Sequence, residues 1–103
     1  MKTIKFKVEG DRITKDPTCD FSNFSKANFL IAEFSFSSEW DGFVKVAGFS
    51  KGGKELEPRY LINGNTFEVP REAFKGSFFR MYIIGKRGNE KMKTKTMIVS
   101  EHD

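Results

Sequence analysis

The hydrophobic positions of this chain recur at every second residue. Ile4, Phe6 and Val8 alternate with Lys5, Lys7 and Glu9, the pattern of a strand with one buried and one wet face. Residues 28–37 repeat it, with Leu30, Ala32, Phe34 and Phe36 on one side. Residues 43–49 predict a third strand. Residues 78–84 predict a longer apolar one that reads as central, and residues 92–99 a last one. Leu56, Pro58, Tyr60 and Ile62 also alternate. Pro58 cannot donate to a ladder, so that run reads as an edge strand.

Turn residues punctuate these runs. Glu9-Gly10-Asp11-Arg12, residues 37–42, 51–54 and 86–89 all read as turns. Asn63-Gly64 is the sharpest local signal, a type I′ hairpin cue after which residues 66–69 would pair back antiparallel. Pro70 at the first position of one helical turn fits residues 70–74, and Gly76 would end it. Residues 16–23 form a polar loop and residues 100–103 a tail. Seven to eight short antiparallel strands at such spacing predict one all-β domain over residues 1–103, a small β-sandwich or barrel. No helical period, internal repeat or linker competes with this reading.

Composition sharpens the picture in three ways. Twelve Phe against one Trp and two Tyr suit strands and a sandwich core. One cysteine, Cys19, excludes an internal disulfide and suits a reducing compartment. The alternating N-terminus carries no apolar block, and no run approaches the roughly 20 apolar residues of a membrane helix. The expectation is a cytosolic product, which could later be built into a particle. The formal net charge of +4 fits an acidic partner or nucleic acid, and equally fits plain solubility.

Candidate chemistry is sparse. The sole His, His102, sits beside the C-terminus, where it would have to meet Cys19 and an orienting group to form a nucleophile pair. Gly52-Gly53 is too short for a phosphate loop. The chain therefore reads as non-enzymatic. Cys19, Asp20, His102 and Asp103 are zinc-ligand types in two loop-like segments, so a structural zinc is a candidate, although their spacing matches no finger or ribbon. The alternative is an unreactive cysteine and a frayed tail. Lys86, Arg87, Lys91, Lys93 and Lys95 form the candidate partner-binding surface, with Lys91, Lys93 and Lys95 expected on one strand face. The alternative is a solvated face whose lysines guard an edge strand. Direct nucleic-acid binding is not expected, because no RNA-recognition motif is present and the aromatics read as buried.

Residues 34–42, Phe-Ser-Phe-Ser-Ser-Glu-Trp-Asp-Gly, resemble the F-x-F-S-x-E-W-D-G core of a module found at the N-terminus of head-fibre and baseplate-type virion proteins. Those proteins belong to bacteriophages of Gram-positive hosts. The Lys-Thr-Ile-Lys-Phe-Lys opening is similar. Residues 67–72, Phe-Glu-Val-Pro-Arg-Glu, resemble the family's V-P-x-E segment, and residues 76–85 its glycine-led apolar strand. The resemblance implies an Ig-like β-sandwich. In it Trp40 would cover the end of the core while Asp41 and Gly42 make the turn; the other reading of Trp40 is a binding hot spot. Two departures stand out: the chain stops just after the module, and it is enriched in Lys and Arg. They suggest a free-standing phage protein acting in the host cytoplasm. Its expected role is to inhibit a host defence nuclease, in the manner of anti-CRISPR proteins acting on a Cas9-type effector. The alternative is a virion decoration or fibre-attachment module. A fold does not fix a function, so the choice falls to the surface.

Overall fold

The alternation of the sequence becomes two sheets packed face to face. The computed structural model describes residues 1–63 and 65–102. The first sheet has the order β2-β1-β3-β7, from β1 (Lys2–Glu9), β2 (Arg12–Lys15), β3 (Leu30–Phe36) and β7 (Thr66–Val69). The second is centred on β4 (Val44–Lys51) and β8 (Phe78–Arg87). Strands β5 (Lys54–Glu55) and β6 (Arg59–Tyr60) pair with β4, while β9 (Glu90–Lys93) and β10 (Met97–Ser100) pair with β8. One helical turn, α1 (Arg71–Phe74), and the 3₁₀ turn Ser38–Trp40 link the sheets, while a second 3₁₀ turn, Phe24–Lys26, lies between β2 and β3 of the first sheet.

The inner faces share one core. Ile4, Phe6, Val8, Leu30, Ala32 and Phe34 come from the first sheet, and Ala47, Phe49, Phe79, Met81, Ile83 and Val99 from the second. Stacked rings run along the first sheet, Phe6 on Phe34 at 5.1 Å and Phe34 on Phe67 at 5.9 Å, and then cross to the second with Phe67 on Phe49 at 5.8 Å. The phenylalanine excess thus has a packing role. The all-β, sandwich-like architecture agrees with the alternation in the sequence.

Several details differ from the sequence reading. There are ten strands among the described residues, and β1 pairs with β3 in parallel, Phe6 lying opposite Phe34. Strand β2 takes the other edge of β1 and holds one buried apolar residue, Ile13, too little to mark a strand by pattern. Of the alternating run at 56–62, Arg59–Tyr60 forms β6, while β5 lies just before the run at Lys54–Glu55, and both sit at the sheet edge. The Asn63-Gly64 signal falls partly outside the described residues. Around it, Ile62 and Thr66 form an isolated bridge, and Asn63 and Asn65 have φ of 41° and 61°. Strand β7 then pairs with β3 instead of with the preceding run, because that places Phe67 and Val69 in the core. Pro70 caps α1 from just outside it. The last strand breaks after Lys93, where the buried Thr94 hydroxyl accepts the Ile83 N–H at 2.9 Å. The expected tail is partly tied down: Ser100 belongs to β10, and the Glu101 carboxylate accepts the Ser25 N–H and hydroxyl at 3.0 and 2.8 Å.

Candidate partner-binding face

Strand β8 sorts its side chains by alternation. Phe79, Met81 and Ile83 enter the core, while Phe78, Arg80, Tyr82, Ile84 and Lys86 face outward. Register extends this outer face. Lys91 lies opposite Lys86 and Lys93 opposite Ile84 on β9; Ile98 lies opposite Arg80 on β10. Val44, Val46 and Gly48 of β4 lie opposite Lys86, Ile84 and Tyr82, and Tyr60 of β6 lies opposite Val46.

The face is both basic and apolar. Arg80, Lys86, Lys91 and Lys93 sit on it, and no outward position of β4, β8, β9 or β10 is a carboxylate. None of these four cations belongs to an ion pair among the described residues. Tyr60 is 67% exposed, Val44 58%, Ile98 56% and Phe78 46%. Apolar groups displayed so fully beside unpaired cations resemble the core of a contact surface more than a solvated exterior.

The structure gathers three of the five expected basic residues, Lys86, Lys91 and Lys93. Arg87 falls on the opposite side. There it binds both carboxylate oxygens of Glu90 at 3.0 and 3.2 Å, donates to the Asp41 carbonyl at 3.0 Å and stacks over Phe43. Lys95 lies beyond the end of β9 and faces Asp11, with a backbone bond of 2.7 Å and an ion pair at 3.8 Å. Arg80 completes the cluster. Its position two residues before Tyr82 in the β8 alternation was the signal for it, hidden within an apolar run.

The zinc-ligand types have other partners. The Cys19 thiol is half-buried and lies 3.6 Å from the Thr3 carbonyl. Asp20 accepts the Ser22 N–H and hydroxyl at 2.8 and 2.7 Å, and Lys2 is 3.9 Å away. The Ser22 hydroxyl, its N–H and the Lys2 charge hold the Asp20 pKa below its usual value. His102 approaches Glu101 at 3.8 Å, and Asp103 lies outside the described residues. Among the described residues no group of three His, Cys, Asp or Glu side chains is arranged to hold a metal ion. An open cleft of about 510 Å³ adjoins Cys19, lined also by Lys15, Asp16, Asp20 and Phe21. Its charged groups are engaged locally: Lys15 donates to the Ser100 carbonyl at 2.7 Å and covers the Phe21 ring, and Asp16 binds Thr18.

Trp40 is buried, packed near Phe36 and Phe43. No protein-family model, curated protein or solved structure matches the chain. No helix among the described residues is long and apolar enough to cross a membrane.

Proposed function

We propose that this chain is a non-enzymatic binding protein of phage origin that inhibits a host defence nuclease by seating the outer face of its second sheet on an acidic surface of that protein. The observation carrying this reading is the set of four unpaired cations, Arg80, Lys86, Lys91 and Lys93, beside exposed Val44 and Tyr60. A face kept for solubility alone interleaves both signs of charge; across β4, β8, β9 and β10 this one holds cations alone, and its carboxylate, Glu55, lies on the edge strand β5 opposite Ser50. Such a field speeds encounter with an acidic partner, and the apolar groups supply contact area. The phage origin rests on the Glu-Trp-Asp-Gly resemblance. Because Trp40 is a packing residue, that resemblance speaks for a shared scaffold and leaves the partner to the surface.

The test is cleavage of target DNA by Cas9-type nucleases with and without the purified protein. Loss of cleavage is expected, and the triple variant Lys86→Glu, Lys91→Glu, Lys93→Glu should restore it. Undiminished cleavage by several such nucleases, together with detection of the protein in purified phage particles by mass spectrometry, would move the assignment to a virion decoration or fibre-attachment module.

A further inference from the structure

Rings and cations alternate along the outer side of β8. Phe78 and Tyr82 point the same way, about 13 Å apart at the usual rise per strand residue, with Arg80 between them. The Tyr82 ring lies flat on the sheet. A Cβ at Gly48 would stand 2.6 Å from the Tyr82 hydroxyl oxygen, so the glycine opposite is what lets the ring lie down. Lys93 holds its ammonium 4.7 Å from the centre of that ring, and Lys51 sits 3.9 Å from the centre of Phe78. Each ammonium thus lies over a ring face, from which a stacking base would displace it, and Phe78 stays 46% exposed.

The geometry points to single-stranded nucleic acid as a ligand of this face. Its bases would stack on Phe78 and Tyr82, and its phosphates would meet Arg80, Lys86, Lys91 and Lys93. Flat rings interleaved with cations are the chemistry of single-strand sites, where every base offers a stacking face and every linkage a charge. A duplex keeps its base faces stacked inside and cannot use the rings. A second copy of this chain would bring the same four cations against their like. The inference goes beyond the inhibitor reading, since it requires no protein partner. It also revises the expectation that the aromatics are all buried.

Fluorescence anisotropy of a labelled oligothymidine with the full chain tests it. Binding is expected, tighter than for a duplex of equal length. With four phosphate contacts, affinity should fall about 50-fold between 50 and 200 mM salt. Tyr82→Leu keeps apolar cover over Gly48 but removes the stacking ring. It should weaken binding about 5- to 150-fold, the loss of one stacked base, while Tyr82→Phe should bind as the parent does. Phe78→Ala, at an exposed position, should behave like Tyr82→Leu and serves alone if that variant does not fold. Four results would each overturn the inference: no binding at 50 mM salt, equal affinity for duplex, unchanged affinity in the ring variants, or equally strong competition by polyglutamate. The nuclease assay has a separate readout, so either idea can fail while the other stands.

Discussion

Trp40 donates its indole N–H to the carbonyl of Gly10 at 2.9 Å. The preceding residue, Glu39, accepts the N–H of that same glycine at 2.6 Å and also binds the Ser37 hydroxyl. The Glu-Trp pair thus grips the turn between β1 and β2 from both sides. Gly10 has φ of 58°, a left-handed conformation that glycine adopts without strain. The distinctive motif of the sequence is a clamp within the fold.

Removing the indole should be severe. Trp40→Ala is expected to lose about 3–5 kcal/mol, a large share of the roughly 5–15 kcal/mol typical of a domain. Trp40→Phe retains apolar volume but strands the Gly10 carbonyl, so a loss of about 1–3 kcal/mol is expected. Urea unfolding followed by circular dichroism measures both, and a Trp40→Ala midpoint equal to the parent's would refute the clamp.

Gly85 makes room for that indole. A Cβ there would stand 2.8 Å from Trp40 Cζ3. Gly85→Ala should therefore overpack the site and lose about 1–3 kcal/mol. In a Trp40→Phe background the same change should be milder, and a double-mutant cycle reads the difference as coupling. Additive losses would show that the contact does not matter.

Acid should loosen the clamp. The Ser37 hydroxyl first, and the Gly10 N–H second, hold the Glu39 pKa below its ordinary value of 4.5. A carboxyl depressed on folding contributes stability that is complete above its unfolded value and disappears as pH falls through the folded one. Asp16, bound by Thr18, and Glu101, bound by Ser25, shift in the same direction. Melting temperature should hold steady from neutrality down to about pH 5 and decline below it. Glu39→Gln should flatten that decline; an unchanged acid limb would remove Glu39 from the account.

Thr94 joins β9 to the line of β10. Its hydroxyl is buried and accepts the Ile83 N–H. Thr94→Val preserves shape but leaves that N–H without a partner, so a loss of about 1–3 kcal/mol is expected. Thermal unfolding checks it, and a Thr94→Ser variant that keeps the acceptor should be closer to the parent.

The sequence disclosed what alternation can encode. The core of β1, β3 and β8 was legible because Phe6, Phe34 and Met81 each fall in an unbroken period of two. Pairing was less legible. Nothing local marks β1 and β3 as parallel neighbours, since that choice follows from β2 occupying the other edge of β1. Strand β7 left its apparent hairpin because Phe67 finds Phe34 and Phe49 in the core. On the candidate face, Lys91 and Lys93 were readable as one side of a strand. Arg87 was not separable from them, because its side depends on where the β8–β9 turn begins. Tyr82 was missed as a surface ring, since its posture depends on Gly48 of another strand.

The seam between β2 and β10 has a consequence for how the chain reaches its native state. Lys15 binds the Ser100 carbonyl across 85 positions, and the Lys95 N–H binds the Asp11 carbonyl. These bonds join an edge of one sheet to an edge of the other. Until residues 95–100 arrive, the β1–β2 ribbon presents open backbone of the kind that recruits strands from other molecules. Contacts so distant in sequence form late and slowly in β proteins. Refolding should therefore show late protection from hydrogen exchange at the Lys95 amide, and the hazard of aggregation should end when that seam closes.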